Sequence, residues 1–125
     1  MLKAIFLVSI GGAIGSSMRY LTSYFMQKIV SQNFPWGTLA ANILGCLLIG
    51  LLMGYFSKSQ LNNNDYRLLL VTGFCGGYTT FSAFALENFN LWQQGNNSTA
   101  IIYITISVIG GLLAVFSGFA LSKIC

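Results

Sequence analysis

The amino-acid sequence predicts an all-α membrane protein with four transmembrane helices in a single domain over residues 1–125. Only 6% of the residues are charged and 55% are hydrophobic, whereas a soluble domain carries about 25% charged residues. Four near-continuous apolar runs are each about 20 residues long, enough for a helix to cross about 30 Å of hydrocarbon. They lie roughly at residues 2–25, 36–56, 68–89 and 99–121.

The runs are interpreted as helices because lipid provides no water for exposed backbone groups, and because the sequence lacks the period-2 alternation of barrel strands. The first run is expected to be a helix of the mature protein rather than a signal peptide, since it exceeds a typical h-region and no A-x-A cleavage site follows. Pro35-Trp36 precedes the second run, where proline suits a helix start and tryptophan suits an interfacial anchor.

The net charge of +4 is interpreted as a set of membrane-flanking cations. Six Lys and Arg residues scattered along the chain do not form a nucleic-acid surface, so no nucleic-acid partner is expected. If successive helices alternate in direction, four cations share the side of the amino terminus: Lys3, Lys58, Arg67 and Lys123. Lys28 lies on the opposite side, and this asymmetry favours a cytoplasmic amino terminus.

The sequence offers little for catalysis. It contains no His, no nucleophile beside a base and no paired carboxylates, so an enzyme is not expected. Cys46 and Cys75 lie inside predicted spans without a CxxC pair, and they are expected to be free structural thiols.

Small residues recur at four-residue spacing in the predicted helices, where they allow two backbones to approach closely. The patterns are Gly11-x-x-x-Gly15, Gly50-x-x-x-Gly54 and Gly110-x-x-x-Ala114-x-x-x-Gly118. Four thin helices enclose little space, so a water-filled path would lie more naturally at a boundary with a second copy. An oligomer is therefore expected, most simply a dimer.

Asn42 lies near the middle of the second run. Together with Thr38 and Gly45, at i−4 and i+3, it forms one helix face that carries two hydrogen-bonding groups and a small residue. The amide could bond across a helix interface, or it could line a pore as a neutral donor. The residue pattern leaves both interpretations open.

The third run contains Gly76-Gly77 followed by Thr79-Thr80, which is a stretch unusually rich in glycine and hydroxyl groups for a lipid-facing helix. It indicates either a helix break at membrane depth or a kinked but continuous helix. A break frees backbone carbonyls, which suit a hard cation such as sodium. Two copies of the break that meet on a twofold axis would form a symmetric cage.

Phe81, Phe84 and Glu87 follow the glycine-rich stretch at intervals of three residues. Phenylalanine usually packs in membrane helices, but the positive edge of its ring can also face an anion without adding a charge that would trap it. Glu87 lies close to the end of the run, where a carboxylate either sits at the interface or lines a pathway. This segment is therefore a candidate anion path.

Tyr103 and Ser107 lie four residues apart in the fourth run, with Gly111 next on the same face. They could form interhelical hydrogen bonds, or they could extend a track of uncharged donors with Asn42. Arg19 is the only cation well inside an apolar run, where it could snorkel outward or attract anions in an aqueous vestibule.

These motifs resemble the small bacterial fluoride channels, also called CrcB-type fluoride exporters. The resemblance covers essentially the whole chain and rests on one motif in each of the first three runs. The first run has Gly11-Gly12-Ala13-Ile14-Gly15 leading to Arg19-Tyr20, and the second has Gly37-Thr38-Leu39 with Asn42 and Gly45. The third run has Gly73-Phe74-Cys75-Gly76-Gly77-Tyr78-Thr79-Thr80-Phe81-Ser82. The resemblance implies an antiparallel dual-topology dimer of four-helix subunits. The third helix of each would be broken near Gly76–Thr79, and a fluoride pathway would lie on each side of the twofold axis.

The resemblance also implies roles for individual residues. Phe81 and Phe84 would be the pore phenylalanines, and Asn42 would be the amide donor. The backbone carbonyls of Gly76 and Thr79 would hold a structural sodium ion at the dimer centre. A further set would line the vestibule and the polar track: Thr38, Glu87, Tyr103, Ser107 and, in the first helix, Arg19.

The predicted function is passive, selective export of fluoride through the bacterial cytoplasmic (inner) membrane, which would reduce fluoride toxicity. No residue in the spans suggests energy coupling, and no nucleotide-binding loop occurs. A small proton-coupled multidrug exporter is an alternative, but it would need a carboxylate in the first helix, which has none. A non-transporting scaffold leaves Asn42 unexplained. The partner could be an identical chain or a homologous second subunit.

Overall fold

The computed structural model describes residues 1–59 and 63–125, which contain helices and no strand. The elements are α1 (Leu2–Ile29), α2 (Trp36–Lys58), α3 (Asn64–Tyr66), a π-helix (Arg67–Cys75), α4 (Gly76–Tyr78), α5 (Ser82–Gln93) and α6 (Asn97–Ile124). Residues Asn64–Gln93 together form the third span. In the described part of the chain, four helices are long and apolar enough to cross a membrane: α1, α2, the third span and α6. The predicted all-α membrane fold is confirmed.

Helix α1 packs closely along the first half of the third span because two of its residues have no side chain. A Cβ atom on Gly11 would collide with the carbonyl oxygen of Leu69, and one on Gly15 would lie 2.9 Å from the backbone nitrogen of Tyr78. Both glycines are buried. Helices in lipid depend on such close approach, since no hydrophobic effect draws them together there.

Helices α2 and α6 form the largest helix contact among the described residues. A Cβ atom on Gly50 would lie 2.9 Å from the backbone nitrogen of Phe119, and one on Gly118 would lie 2.9 Å from the nitrogen of Leu51. The small-residue faces that the sequence predicts on these two helices therefore pack against each other.

The third span is interrupted between α4 and α5. Thr79 is extended, with φ −84° and ψ 156°, and the helix resumes at Ser82. The break predicted near Gly76–Thr79 is confirmed, and it begins at Thr79, the last residue of that stretch. The glycine pair itself stays helical, because Gly77 packs against α1, where a Cβ atom would lie 2.6 Å from the carbonyl oxygen of Gly12.

A π-helix of nine residues directly precedes α4, and no sequence pattern predicts it. Such widened turns are rare and are frequently found at functional sites. This one lies against α1, where a Cβ atom on Gly73 would be 3.0 Å from the Cα atom of Gly11. The third span thus changes its backbone geometry twice on the way to the break.

Candidate functional site

Asn42 holds the helix break from the neighbouring helix α2. Its side-chain nitrogen donates to the carbonyl oxygen of Thr80 at 3.1 Å, and its side-chain oxygen accepts from the Thr80 backbone N–H at 2.8 Å. The break deprives Thr80 of helical partners, and this one amide replaces both. An amide nitrogen carries two hydrogens, and within residues 1–59 and 63–125 the second hydrogen has no acceptor. Asn42 therefore bonds across a helix interface and still retains a donor.

Other side chains satisfy backbone groups around the break. The Thr79 hydroxyl donates to the carbonyl oxygen of Cys75 at 2.9 Å, and the Thr80 hydroxyl accepts from a backbone N–H at the start of α5 at 3.2 Å. Arg19 donates from Nε to the carbonyl oxygen of Gly77 at 3.2 Å. The Arg19 side chain therefore points inward to the third span instead of only snorkelling outward.

Two backbone carbonyls at the break are available as oxygen ligands. Among the described residues, no hydrogen bond reaches the carbonyl oxygen of Gly76 or of Thr79. In the same residues, no group of three or more His, Cys, Asp or Glu side chains is placed to hold a metal ion. Hard cations prefer oxygen ligands. Neutral carbonyl oxygens at the break are thus the donor set that fits such a cation chemically.

A groove of about 310 Å³ opens beside the break, and Asn42, Phe81, Phe84 and Ser107 all line it. The ring centroids of Phe81 and Phe84 are 5.9 Å apart, and Phe81 is 79% exposed. The Ser107 hydroxyl is buried and has no hydrogen-bond partner among the described residues. The groove therefore combines two phenyl rings with several neutral polar groups, and no charged side chain belongs to its described lining.

Thr38, Tyr103 and Glu87 form one hydrogen-bonded cluster near the amino-terminal end of α2. The Thr38 hydroxyl donates to one carboxylate oxygen of Glu87, and the Tyr103 hydroxyl donates to the other at 2.9 Å. Thr38 and Tyr103 are both buried. The Tyr103 ring also packs edge to face against Phe84, with centroids 5.1 Å apart. Phe84 therefore connects this cluster, which we call the Glu87 cluster, to the groove.

Two polar cavities meet at Glu87. The α1-side cavity measures about 400 Å³ and includes Ser23 in its lining. The α5-side cavity measures about 500 Å³ and includes Asn90. Glu87 and Phe34 line both of them. The end of the polar track is therefore approached from two directions.

The residues of this site lie inside a recognisable family sequence. The family profile described as "CrcB-like protein, Camphor Resistance (CrcB)" matches residues 6–119 of the chain. The chain belongs to the CrcB-like family. The match includes the break, the groove and the Glu87 cluster.

Alignments with named relatives cover nearly the full length of this CrcB-family chain. It is 46% identical to the "Fluoride-specific ion channel FluC" of Azobacteroides pseudotrichonymphae over 98% of each chain. It is 45% identical to the protein of that name in Flavobacterium psychrophilum, again over 98% of each. For Leptospira interrogans the identity is 41%, over 93% of this chain and 91% of the relative. The resemblance seen in the motifs is confirmed: the chain is a multi-pass bacterial membrane protein of a channel family, and it is not an enzyme.

In this CrcB-family chain, sequence reasoning gave Thr80 no role of its own beyond the hydroxyl-rich stretch, and it missed Phe34. Thr80 adjoins the predicted break, but its partner Asn42 is 38 residues away, so no local pattern reveals the pair. Phe34 lies in the connection between α1 and α2 and packs edge to face against Tyr103, with centroids 5.3 Å apart. Its only sequence signal is the neighbouring Pro35, which marks a fixed turn before the helix.

Proposed function

We propose that this protein is a passive, selective fluoride channel of the bacterial cytoplasmic membrane, through which fluoride leaves the cell. The observation that carries the proposal is the groove at the helix break, where Phe81, Phe84, Asn42 and Ser107 come together. The names of the FluC relatives, at 41–46% identity over almost the whole chain, support fluoride as the ion.

The chemistry of the groove suits a small, strongly hydrated anion. Fluoride must exchange its water for strong donors before it can cross, and Asn42 and Ser107 each carry a polar hydrogen that no acceptor in the described residues takes. Donors of this kind act more strongly in a low-dielectric interior than in water. The ring edges of Phe81 and Phe84 add a weak positive potential without a full charge that would hold the ion.

The Glu87 cluster would form the mouth of this path. Thr38 and Tyr103 both point their hydroxyls at the Glu87 carboxylate. An incoming fluoride ion can accept these same hydroxyl hydrogens in place of a carboxylate oxygen, so the donors are already oriented for it. Arg19, which is held beside the break, would supply a cation that favours anion entry.

The functional unit is proposed to be an antiparallel dual-topology homodimer, with a homologous second subunit as the alternative partner. Phe81 projects from the break with 79% of its surface exposed, so the groove has one open side that a second copy could close. A structural sodium ion fits the dimer centre. The carbonyl oxygens of Gly76 and Thr79 would hold it, and it would supply a fixed positive charge that offsets the negative charge of the permeating ion.

The composition of α1 and the membrane potential support passive conduction. Carboxylates suited to proton exchange do not occur in α1, and the inside-negative potential already favours anion exit by about 2.3 kcal/mol per 100 mV. The membrane potential alone would therefore drive cytoplasmic fluoride out.

The test is anion efflux from liposomes that contain the purified protein. Fluoride release is read with a fluoride electrode after addition of a potassium ionophore, chloride release is followed in parallel, and protein-free liposomes serve as the control. Rapid fluoride release without chloride release is expected. No fluoride release from protein that is folded and dimeric in the same membranes would overturn the proposal.

A further inference from the structure

Phe34 lies in the connection between α1 and α2, at the start of a hydrogen-bonded turn. The backbone N–H of Trp36 donates to the carbonyl oxygen of Phe34 at 2.8 Å, and Pro35 between them has φ −78° and ψ 67°. These are the angles and the hydrogen bond of an inverse γ-turn. Because proline cannot rotate about φ, the turn restricts the backbone that leads from Phe34 into α2.

The ring of Phe34 packs against the buried residue Tyr103. Their centroids are 5.3 Å apart with an interplanar angle of 71°, and Tyr103 also contacts Phe84 at 5.1 Å and 65°. Tyr103 therefore packs edge to face against two phenylalanines. These two contacts restrict the ring whose hydroxyl donates to Glu87.

Phe34 also lies at the place where the α1-side and α5-side cavities approach each other, since it lines both together with Glu87. Removal of the ring would enlarge the space beside Glu87 that both cavities border. Water could then reach the hydroxyl that now has Glu87 as its acceptor, and the side chain would lose the contact that restricts its rotation.

We propose that Phe34 is a positioning residue for the ion path: it holds the Tyr103 hydroxyl on Glu87 where the two polar cavities join the donor track. The inference rests on the proposed fluoride conduction. It adds a residue from the α1–α2 connection that acts on the ion only through Tyr103.

The orientation of Tyr103 can be measured without any ion flux. Protein labelled with 3-fluorotyrosine gives one fluorine resonance for each tyrosine, and the Tyr103 resonance is identified by its loss in Tyr103→Phe. In Phe34→Ala this resonance should broaden, because Tyr103 then exchanges between orientations. A change in chemical shift alone is expected from the lost ring current of Phe34 and does not count. Phe6→Ala removes a ring that is 65% exposed on α1, so it is the matched control and should leave the Tyr103 resonance unchanged.

Fluoride efflux provides the second readout. Phe34→Ala should lower the rate about three- to tenfold, the range that an aromatic pair is worth, whereas Phe34→Tyr keeps the ring and should remain within about twofold of the wild type. Phe34→Leu retains apolar volume without a ring, and it decides the question if the alanine variant does not fold: it should show both the resonance change and the lower rate.

The outcomes separate the two proposals. A wild type that conducts, together with an unchanged linewidth of the Tyr103 resonance and an unchanged rate in Phe34→Ala or Phe34→Leu, would overturn the role of Phe34 and leave the channel function standing. A folded wild type that does not conduct would overturn the channel function, while the fluorine resonance would still show whether Phe34 positions Tyr103.

Discussion

The side-chain amide of Asn42 pairs with both backbone polar groups of Thr80, at 3.1 Å to the carbonyl oxygen and 2.8 Å from the N–H. In a continuous helix these two groups would bond four residues away in either direction. In this protein they bond to α2 instead, so the third span can be broken at membrane depth without leaving the Thr80 peptide unsatisfied. The break is therefore a property of two helices together.

Asn42→Asp should damage both stability and conduction. A carboxylate cannot donate to the Thr80 carbonyl oxygen, and the loss of a buried partner costs about 1–3 kcal/mol. The negative charge would also repel an anion in the groove. Thermal unfolding in detergent should therefore show a lower midpoint, and fluoride efflux should be abolished.

Asn97→Asp is the matched control for this change. Asn97 is exposed at the start of α6, where a carboxylate is favourable near the helix amino terminus. Its midpoint and flux should stay at wild-type values. Retained fluoride flux in Asn42→Asp would refute the role of Asn42 as a neutral donor.

Gly77→Ala should destabilise the protein, whereas Gly12→Ala on the facing helix should not. A Cβ atom on Gly77 would lie 2.6 Å from the carbonyl oxygen of Gly12 and 3.0 Å from its Cα atom, both parts of rigid backbone. A Cβ atom on Gly12 would lie 3.8 Å from its nearest neighbour, the carbonyl oxygen of Gly73. Overpacking of this kind costs about 1–3 kcal/mol, while alanine in an open helical position is neutral or stabilising.

Thermal unfolding of the two variants side by side checks this pair, because each adds one methyl group to the same helix contact. Equal midpoints for Gly77→Ala and Gly12→Ala would contradict the close approach of α1 and α4. Packing against α1 would then no longer explain why the glycine pair stays helical.

Composition and residue pattern predict the four spans, because apolar length is a property of single segments. In the third span the pattern leaves a break or a kink open, and the family resemblance implies the break. The exact place of the break is not a local property. Gly77 looks like a breaker in sequence, yet it stays helical because α1 needs it for packing, and the chain leaves the helix only at Thr79. The partner on α1 decides this, and a sequence pattern does not name it.

The site shows the same division between local and long-range information. Sequence spacing places Thr38 on a face of α2 and Tyr103 on a face of α6. The carboxylate that joins them is that of Glu87, which belongs to the third span. Bringing these residues together required either the family resemblance or the structure. Neither the residue spacing nor the family resemblance pointed to Phe34, because its partner Tyr103 lies in the last helix, and only the structure shows the contact.

Phe81→Ile should stop fluoride flux and leave a folded dimer. The isoleucine side chain retains apolar surface but has no ring edge to face the ion, and the neighbouring Phe84 ring, 5.9 Å away, loses its partner in the groove.

Phe116→Ile is the matched control, because Phe116 is 71% exposed on α6 outside the groove lining. Efflux from liposomes and light scattering after size-exclusion chromatography measure the two properties. Wild-type flux in a folded Phe81→Ile dimer would rule out Phe81 as a pore residue.

Sodium should raise the thermal unfolding midpoint of the purified protein above its value in the chloride salt of a large organic cation at the same ionic strength. A ligand that binds only the folded state stabilises it by about 2.7 kcal/mol at a hundredfold excess over its Kd, and this stabilisation grows with the logarithm of the ligand concentration. The midpoint should therefore keep rising as the sodium concentration increases above its Kd. Thr79→Val is the informative variant. It removes a hydroxyl that already donates to Cys75, but it keeps the backbone carbonyl that no described residue occupies. The sodium dependence should therefore survive in Thr79→Val, although the midpoint of this variant falls.

Equal midpoints in both salts for the wild type would mean that the carbonyls of Gly76 and Thr79 do not form a sodium site. Loss of the sodium dependence in Thr79→Val would instead assign the sodium ligand to the Thr79 hydroxyl.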